Sequence, residues 1–447
     1  MRLLQTTEYG VLPRYGIDPR VWRRLQRCDE RPLRSGRPTV FDWSYSDVVR
    51  AKNYVGVVQI PGLTIEILPK IDSADDGDNV SETPHRQLAR HNLLYMLAFT
   101  GHLPVREKSL ASLHLRKLPL LEALILVFAE QLLDELRRGL DFSYVAIQDN
   151  TRHLKGKLLL KQHIRKNVVH RERLYVGYDE FLCDTWLNRI FKSCCIRLLG
   201  LARFSKTQRL IEEAIACFSE VEEVDIGLHH FDRVHLNRNS ERFAPMLEFC
   251  RILTMGRSPS PSRGRTPVYS LLFPMERLFE EFIGCYLVRH ASSLGLDRRR
   301  IHIQSRNRQC WLLEAEDGKS VVRLRPDVVI EDADNRCRMV IDTKWKCLSA
   351  DRATGIGGVA QSDLYQLYAY ANRYGSSENI LLYPGRKGVD SQWFRLAGDH
   401  CKSIRIETID LNRDIQADRE GFHSDLRRIL SHRSFPDKNV GPGVVTQ

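Results

Sequence analysis

The chain has 447 residues, of which 43% are hydrophobic and 28% charged. These values are typical of a soluble globular protein and exclude a disordered one, and the length is sufficient for two domains. The sequence contains neither a long apolar run that predicts a membrane span nor the apolar core of a secretory signal, so we expect a cytoplasmic protein. The net charge of +12 favours a polyanionic partner.

Two arginine clusters are candidate contact points for such a partner. They are Arg23–Arg24 and Arg298–Arg300. Taken one at a time, each cluster is more often a solvated helix face or loop. Charge alone therefore indicates the class of partner and not its position.

The N-terminal part is predicted to begin with strands and continue with helices. Residues 54–71 read as two strands around a Pro61-Gly62 turn, a pattern typical of a hairpin. Helical periodicity then predicts helices over the ranges 91–100, 119–138, 178–199, 206–218 and 245–254. Between the second and third of these, residues 142–161 are β-like and place Gly156 between two lysines.

Composition predicts the domain boundaries. Residues 256–267 contain Gly, Pro, Ser and three Arg without an apolar anchor, which is typical of a flexible basic linker. We therefore expect an N-terminal region over 1–255 and a second domain over 268–430. The polar residues 431–447 are expected to be a disordered tail.

The most informative stretch lies in the second domain. Residues 321–330 and 338–345 read as two apolar strands joined by the polar turn 331–336. The first carries Asp327, and the second carries Asp342 with Lys344 two residues later. Because strand side chains alternate between faces, Asp342 and Lys344 point the same way, and Asp327 can reach the same point from the neighbouring strand.

Two carboxylates and an ammonium on one sheet face predict a metal-dependent hydrolase. Such a group is costly to bury unless it is compensated, and Mg²⁺ is the natural compensation because it prefers oxygen ligands and keeps several waters. A lysine beside the metal can orient or deprotonate water, or neutralise charge on a phosphate. The alternative is a surface hairpin with scattered charges.

Helices are predicted on either side of these strands. Residues 275–290 form an amphipathic helix that carries Glu280. In 362–374, Gln366 and Tyr370 are four apart and share one face. The apolar face of that second helix is expected to consist of Leu364, Leu367, Tyr368 and Ala371.

This order of motifs resembles the PD-(D/E)xK nuclease superfamily, and Gln366 with Tyr370 resembles the Gln-x-x-x-Tyr motif of its RecB-like branch. More narrowly, LFEEFI, RPDVVI, VIDTKWK and DLYQLYAYA together resemble the McrC family, the nuclease subunits of the modification-dependent McrBC restriction system. The hairpin that ends in Pro69-Lys70 is similar to the N-terminal part of that family.

The resemblance implies a fold, a site and a partner. The fold class is α/β: a C-terminal restriction-endonuclease-like mixed sheet flanked by helices, with an N-terminal mixed α/β partner-binding region. The partner would be a hexameric AAA+ GTPase, whose hydrolysis the chain stimulates, and Lys157 is a weak candidate for touching it. The implied roles are Mg²⁺ binding for Asp327, Asp342 and the Thr343 carbonyl, and positioning or activation of water for Lys344. Glu280 would supply a further carboxylate, and Gln366 and Tyr370 would orient the phosphate or the lysine.

The sequence lacks the P-loop pattern GxxxxGK[ST], so any NTP dependence has to come from another subunit. Two alternatives stay open. The chain is a nuclease of another NTP-driven restriction or repair system, or one that acts alone. Otherwise it is a non-enzymatic adaptor that activates an AAA+ motor.

Overall fold

The structure is a computed structural model that describes residues 2–30, 39–45, 47–70, 84–104, 118–255, 269–304, 308–346, 348, 358–385 and 391–431. The expected linker 256–267 and all but the first residue of the expected tail lie outside the described residues. The chain divides into two compact units, of which the first ends at Met275 and the second continues from Glu276. No helix in the described ranges has the length and apolar character needed to cross a membrane.

The N-terminal unit mixes strands and helices throughout. Its elements are β1 (Arg2–Thr7), β2 (Val11–Pro13), α1 (Pro19–Glu30), β3 (Phe41–Asp42), β4 (Val48–Ala51), β5 (Tyr54–Ile60), β6 (Leu63–Leu68), α2 (Pro84–Phe99), α3 (Leu120–Leu136), β7 (Ser143–Thr151), β8 (Lys157–Leu158), α4 (Leu160–Lys166), β9 (Leu174–Leu182), α5 (Trp186–Leu199), α6 (Ser205–Cys217), α7 (Ala244–Met255) and β10 (Tyr269–Pro274).

One sheet of this unit has the strand order β1-β6-β5-β10. Its centre is the β5–β6 hairpin that the sequence predicted, with Gly62 at a positive φ in the turn. Strand β10 pairs antiparallel with β5, although its residues fall inside the range 268–430 expected for the second domain. Gly56 permits this pairing, because a side chain there would collide with the carbonyl oxygen of Leu271.

A second sheet corrects one helix prediction. Residues 178–182 were expected to start a helix, but they end β9, which pairs with β7 along its whole length. Helix α5 begins only at Trp186, where the Thr185 side chain accepts a hydrogen bond from the backbone N–H of Asn188. Acidic residues such as Asp179 and Glu180 are common in the first turn of a helix, but here they belong to a partly exposed strand.

The C-terminal unit is built around a mixed sheet. Its elements are α8 (Met275–Arg289), β11 (Ile301–Ile303), β12 (Cys310–Glu314), β13 (Ser320–Leu324), β14 (Val328–Glu331), β15 (Cys337–Thr343), α9 (Gln361–Tyr374), β16 (Glu378–Pro384), β17 (Gln392–Leu396), β18 (Asp399–Ile409) and α10 (Arg419–Leu430).

The strand order is β11-β14-β15-β16-β18-β17. The β14–β15 hairpin is antiparallel, whereas β15, β16 and β18 run parallel, so the predicted α/β fold class with a mixed sheet is confirmed. The single strand expected over 321–330 is broken in two. Strand β13 pairs with β12 in a separate ladder, and the chain enters the main sheet only after Pro326, which has no N–H to donate to a ladder.

Helix α9 packs on one face of this sheet. Leu367 and Tyr370 join Val340 and Leu381 in one buried cluster. Tyr368, expected on the apolar face, is instead 51% exposed. Tyr370 and Tyr374 are buried in its place, so the packed face of α9 is rotated relative to the predicted one.

A buried ion network joins the last helix to the sheet. Arg405 of β18 lies between the carboxylates of Glu378 and Glu407, at 3.3 and 3.6 Å. Its guanidinium also donates to the carbonyl oxygen of Ile429 at the end of α10, at 2.5 Å. All three charged side chains are buried, so the network fixes α10 against the sheet.

We predict that Arg405→Met destabilises the protein by about 3–5 kcal/mol, because removing one member of a buried network leaves the other charges uncompensated. Urea denaturation of the full chain measures this. Arg298→Met, which removes an exposed arginine from the same unit, is the matched control and should change stability by less than about 0.5 kcal/mol. Equal effects of the two variants would contradict the assignment of the network.

Candidate active site on the C-terminal sheet

The register of the β14–β15 hairpin brings the two predicted acids together. Val328 pairs with Ile341, so one further step along each strand places Asp327 opposite Asp342. Directly opposed residues of antiparallel strands have Cβ atoms about 5 Å apart. Asp342 shares a face with Val340 by alternation, and that is the face covered by α9.

A chain of polar contacts runs from Asp342 to helix α9. Lys344 Nζ lies 2.6 Å from Asp342 Oδ2 and donates to Gln366 Oε1 at 3.0 Å. Gln366 Nε2 in turn donates to the Tyr370 hydroxyl at 2.7 Å. Each of these four predicted residues therefore contacts the next, and the lysine is held between strand and helix.

Asp327 is held differently from Asp342. Its Oδ2 accepts hydrogen bonds from the backbone N–H of Thr343 at 2.6 Å and from the Thr343 hydroxyl at 2.7 Å. The side chain is 9% exposed, and Asp342 is 2% exposed. The carboxylates are thus positioned by the hairpin itself and largely removed from solvent.

Burial dominates the electrostatics of this pair. It raises the pKa of Asp327 well above the usual range, and the nearby charges of Asp342 and Glu280 raise it further. Burial also raises the pKa of Asp342, although the Lys344 ammonium opposes that shift. For Lys344, burial lowers the pKa, but attraction from Asp342 and other carboxylates outweighs it, and the pKa is raised overall.

Glu280 approaches the pair from helix α8. It accepts a hydrogen bond from Gln304 Nε2 at 2.9 Å, while the backbone N–H of Gln304 donates to the carbonyl oxygen of Asp327 at 2.8 Å. Gln304 has a φ of 51°, an uncommon conformation for a residue with a side chain. No local sequence pattern predicts a role for Gln304, because its two contacts are with Glu280 on α8 and with Asp327 just before β14, which are distant from it in sequence.

Sequence reasoning also missed a second charged pair beside the first. Lys346 continues the alternation of Asp342 and Lys344, and its Nζ lies 3.0 Å from Oδ2 of buried Asp363 in the first turn of α9. Together with the Lys344–Gln366 hydrogen bond, this ion pair gives two polar contacts between the residues that follow β15 and the first half of α9. The signal was present in sequence as a third residue at strand spacing and an acid three positions before Gln366.

The donor set is compatible with a divalent oxygen-preferring cation. The described residues contain no cluster of three His, Cys, Asp or Glu side chains arranged around a metal position. Two carboxylates are nevertheless sufficient for Mg²⁺, which keeps several waters, and two like charges forced together at low exposure are relieved by a cation. Asp327, Asp342 and the Thr343 carbonyl are the groups that would hold it. Lys157, the candidate for a partner contact, is exposed on β8 of the N-terminal unit.

Comparisons with known proteins agree with this architecture. A family model described as McrBC 5-methylcytosine restriction system component matches residues 49–384. The chain is similar to a chain in the refined half-complex from the tetradecameric assembly of Thermococcus gammatolerans McrB AAA+ hexamers with bound McrC. The TM-score is 0.70 and the sequence identity 20%, and the match covers 96% of this chain and 99% of that chain. It is also similar to a chain in the cryo-EM structure of the Thermococcus gammatolerans McrBC complex, with a TM-score of 0.53, 24% identity, and coverage of 65% and 88%.

No curated protein matches the sequence. At these identities the two solved structures establish the fold, and the family model, which covers well over half of the chain, establishes the family. The chain therefore belongs to the McrBC family of 5-methylcytosine restriction system components, as its resemblance to McrC predicted.

Proposed function

We propose that this chain is the DNA-cleaving subunit of a McrBC-type restriction system, a Mg²⁺-dependent endonuclease of the PD-(D/E)xK type. The observation that carries the proposal is the placement of Asp327, Asp342 and Lys344 on one face at the end of the β14–β15 hairpin. A bound Mg²⁺ would supply Lewis acidity and a more acidic water for phosphodiester hydrolysis.

The residues of the chain take distinct roles in this proposal. Asp327 and Asp342 would hold the metal with the Thr343 carbonyl, and Glu280 would add negative charge at the edge of the site. The raised pKa of Lys344 keeps it an ammonium at neutral pH, so we assign it to orienting water and neutralising phosphate charge rather than to removing a proton. Gln366 holds this ammonium in place, and Tyr370, whose pKa burial raises, stays a neutral hydroxyl behind it.

The same proposal includes an AAA+ GTPase partner, whose hydrolysis the chain stimulates. The similar chains belong to complexes of McrB and McrC, and this sequence has no P-loop of its own. Coupling to a separate motor therefore accounts for a nuclease subunit that carries no nucleotide site of that type.

The sheet of β7, β9 and β8 is the surface best suited to that partner. Most residues of β7 are exposed, and the exposed aromatic side chains of the sheet include Tyr144 at 74% and Phe181 at 54%. These two rings are cross-strand partners 4.9 Å apart. Contiguous exposed apolar surface is characteristic of interaction sites, and aromatic residues are enriched in protein interfaces.

Removing the lysine tests the nuclease assignment. We predict that Lys344→Ala reduces cleavage of 5-methylcytosine DNA by at least about 100-fold, because a positioned charge that stabilises the transition state is lost. Cleavage is measured with partner GTPase, GTP and Mg²⁺ present. Lys402→Ala is a matched control, because both side chains are 18% exposed and ion-paired, and it should cleave like the parent protein.

The same assay separates the alternatives. Cleavage without partner or nucleotide would support a nuclease that acts alone. Undiminished cutting by the Lys344 variant would contradict its role, and a protein that stimulates the GTPase but never cuts would be an adaptor.

A stability measurement tests the metal site without any activity readout. The raised pKa of Asp327 means that its stabilising contribution is greatest below the unfolded pKa of about 3.9 and is lost as pH rises through the folded value. Asp327→Asn imitates the neutral form, so it should raise the unfolding temperature at pH 7.5 without metal, by about 2–4 °C per kcal/mol gained. That gain should disappear towards pH 4.

Adding Mg²⁺ should reverse the order. Binding to the native state stabilises the parent protein, whereas Asp327→Asn should respond weakly because a ligand is lost. Asp399→Asn, an exposed acid paired with Lys402, is the control and should respond to Mg²⁺ like the parent. Equal Mg²⁺ shifts in parent and Asp327 variant would exclude a metal held by this aspartate.

The partner surface makes its own prediction. Tyr144→Ser with Phe181→Ser should abolish co-elution with the GTPase and stimulation of GTP hydrolysis, because both exposed rings are removed from the proposed interface. Leu313→Ser with Val321→Ser removes another exposed cross-strand apolar pair, in the C-terminal unit, and should leave both measurements unchanged. Retained stimulation by the first variant would place the partner contact elsewhere.

A further inference from the structure

Helix α1 presents an exposed face that consists mainly of arginines. Its other face carries Trp22, Leu25 and Asp29, which are buried in the N-terminal unit. The exposed face carries Arg20, Arg23, Arg24 and Arg27, called here the arginine face, and it ends at the exposed Glu30. Arg23 and Arg24 are adjacent, and each lies three or four residues from Arg20 and from Arg27, so the four form one continuous stripe along about two helical turns.

The arginine face is electrostatically uncompensated within the described part of the chain. None of its four guanidiniums forms an ion pair with a described carboxylate; the contacts they make are Arg23 Nε to the Pro19 carbonyl at 3.3 Å and Arg24 Nη1 to the Pro61 carbonyl at 3.4 Å. The two acids of the helix bond to other groups, and Glu30 Oε1 accepts a hydrogen bond from Gln26 Nε2 at 2.8 Å. Asp29 accepts from the backbone N–H groups of Val40 and Phe41.

This arrangement costs stability in the isolated protein. Like charges three or four apart on a helix repel by about 0.2–0.5 kcal/mol per pair. A positive charge in the first turn, such as Arg20, is also unfavourable to the helix dipole. A face that served solubility alone would interleave glutamate with lysine, whereas arginine alone suits bidentate contact with phosphate.

We propose that the arginine face of α1 binds the phosphate backbone of duplex DNA, as an affinity site separate from the Asp327–Asp342 chemistry. The stripe is about 10 Å long, over which one strand presents about three phosphates at 3.4 Å each along the axis. The proposal rests on the proposed function for the choice of DNA as the polyanion.

An anionic membrane fits this helix less well. Binding at a lipid surface requires an exposed apolar face beside the basic one, and the apolar residues Trp22 and Leu25 of α1 are buried in the core. Trp22 packs edge-on against Trp43 with ring centroids 5.5 Å apart. The helix therefore offers its charge to a partner and keeps its apolar side inside the fold.

The test measures binding rather than cleavage. The full chain carrying Asp342→Asn is titrated with fluorescent duplex DNA without Mg²⁺ from 50 to 300 mM salt, and compared with the same chain carrying Arg→Gln at positions 20, 23, 24 and 27. The slope of log Kd against log salt should fall by about 0.9 for each phosphate that is no longer neutralised, and so by about 2 to 4, with weaker binding at every salt concentration.

A charge-matched control separates local binding from a change in net charge. Arg137, Lys206, Lys319 and Lys402 each pair with a carboxylate, and changing all four to Gln removes the same formal charge. We expect this control to change the slope by less than one. Circular dichroism and thermal unfolding verify that both variants fold.

Three outcomes overturn the inference: equal slopes in the α1 variant and its parent, equal weakening in the α1 variant and the charge-matched control, or unchanged DNA binding with loss of GTPase binding. The last would make the arginine face a protein-docking surface. Because cleavage is not measured, a chain that binds DNA through α1 but never cuts it would refute the proposed function and leave this inference intact.

Discussion

Two buried carboxylates facing each other across a hairpin are the constraint on which the C-terminal unit depends. Burial makes ionisation of both Asp327 and Asp342 unfavourable, and the charge of Asp342 raises the pKa of Asp327 further. A fold that keeps such a pair gives up stability. This loss of stability has an explanation if a cation binds between the two carboxylates during function. The residues that serve the function best are then not those that would make the fold most stable.

The surrounding structure acts mainly to hold this pair and its lysine in place. The hairpin donates backbone and hydroxyl hydrogen bonds to Asp327, and helix α9 holds Lys344 through Gln366. The Lys346–Asp363 ion pair adds a second connection at the start of the same helix. A site supported from strand and helix together has little freedom to relax, which is the condition for pre-organised electrostatics.

Local periodicity was enough to predict the centre of the site, and it failed where distant segments decide the outcome. Strand alternation placed Asp342 and Lys344 on one face, and helical spacing put Gln366 beside Tyr370. The break at Pro326 required knowing that β13 has its own partner, β12. The position of Gln304 beside Asp327 and the pairing of β10 with β5 both depend on contacts between residues far apart in sequence. Patterns among neighbouring residues cannot predict such contacts.

The charges of the chain are divided in a way that suits an enzyme acting on a polyanion. A cluster of carboxylates repels phosphate, and Lys344 and Lys346 both pair with acids of the same unit, so under the proposed function the candidate site would contribute little net attraction for DNA. Affinity therefore has to come from cations that are not neutralised within the fold, and the arginine face of α1 is such a group. In the proposed function, binding and chemistry would then be carried by separate groups. Phosphate contacts at α1 would hold DNA of any sequence, because such contacts carry no sequence information, and cleavage would depend on the metal and the motor.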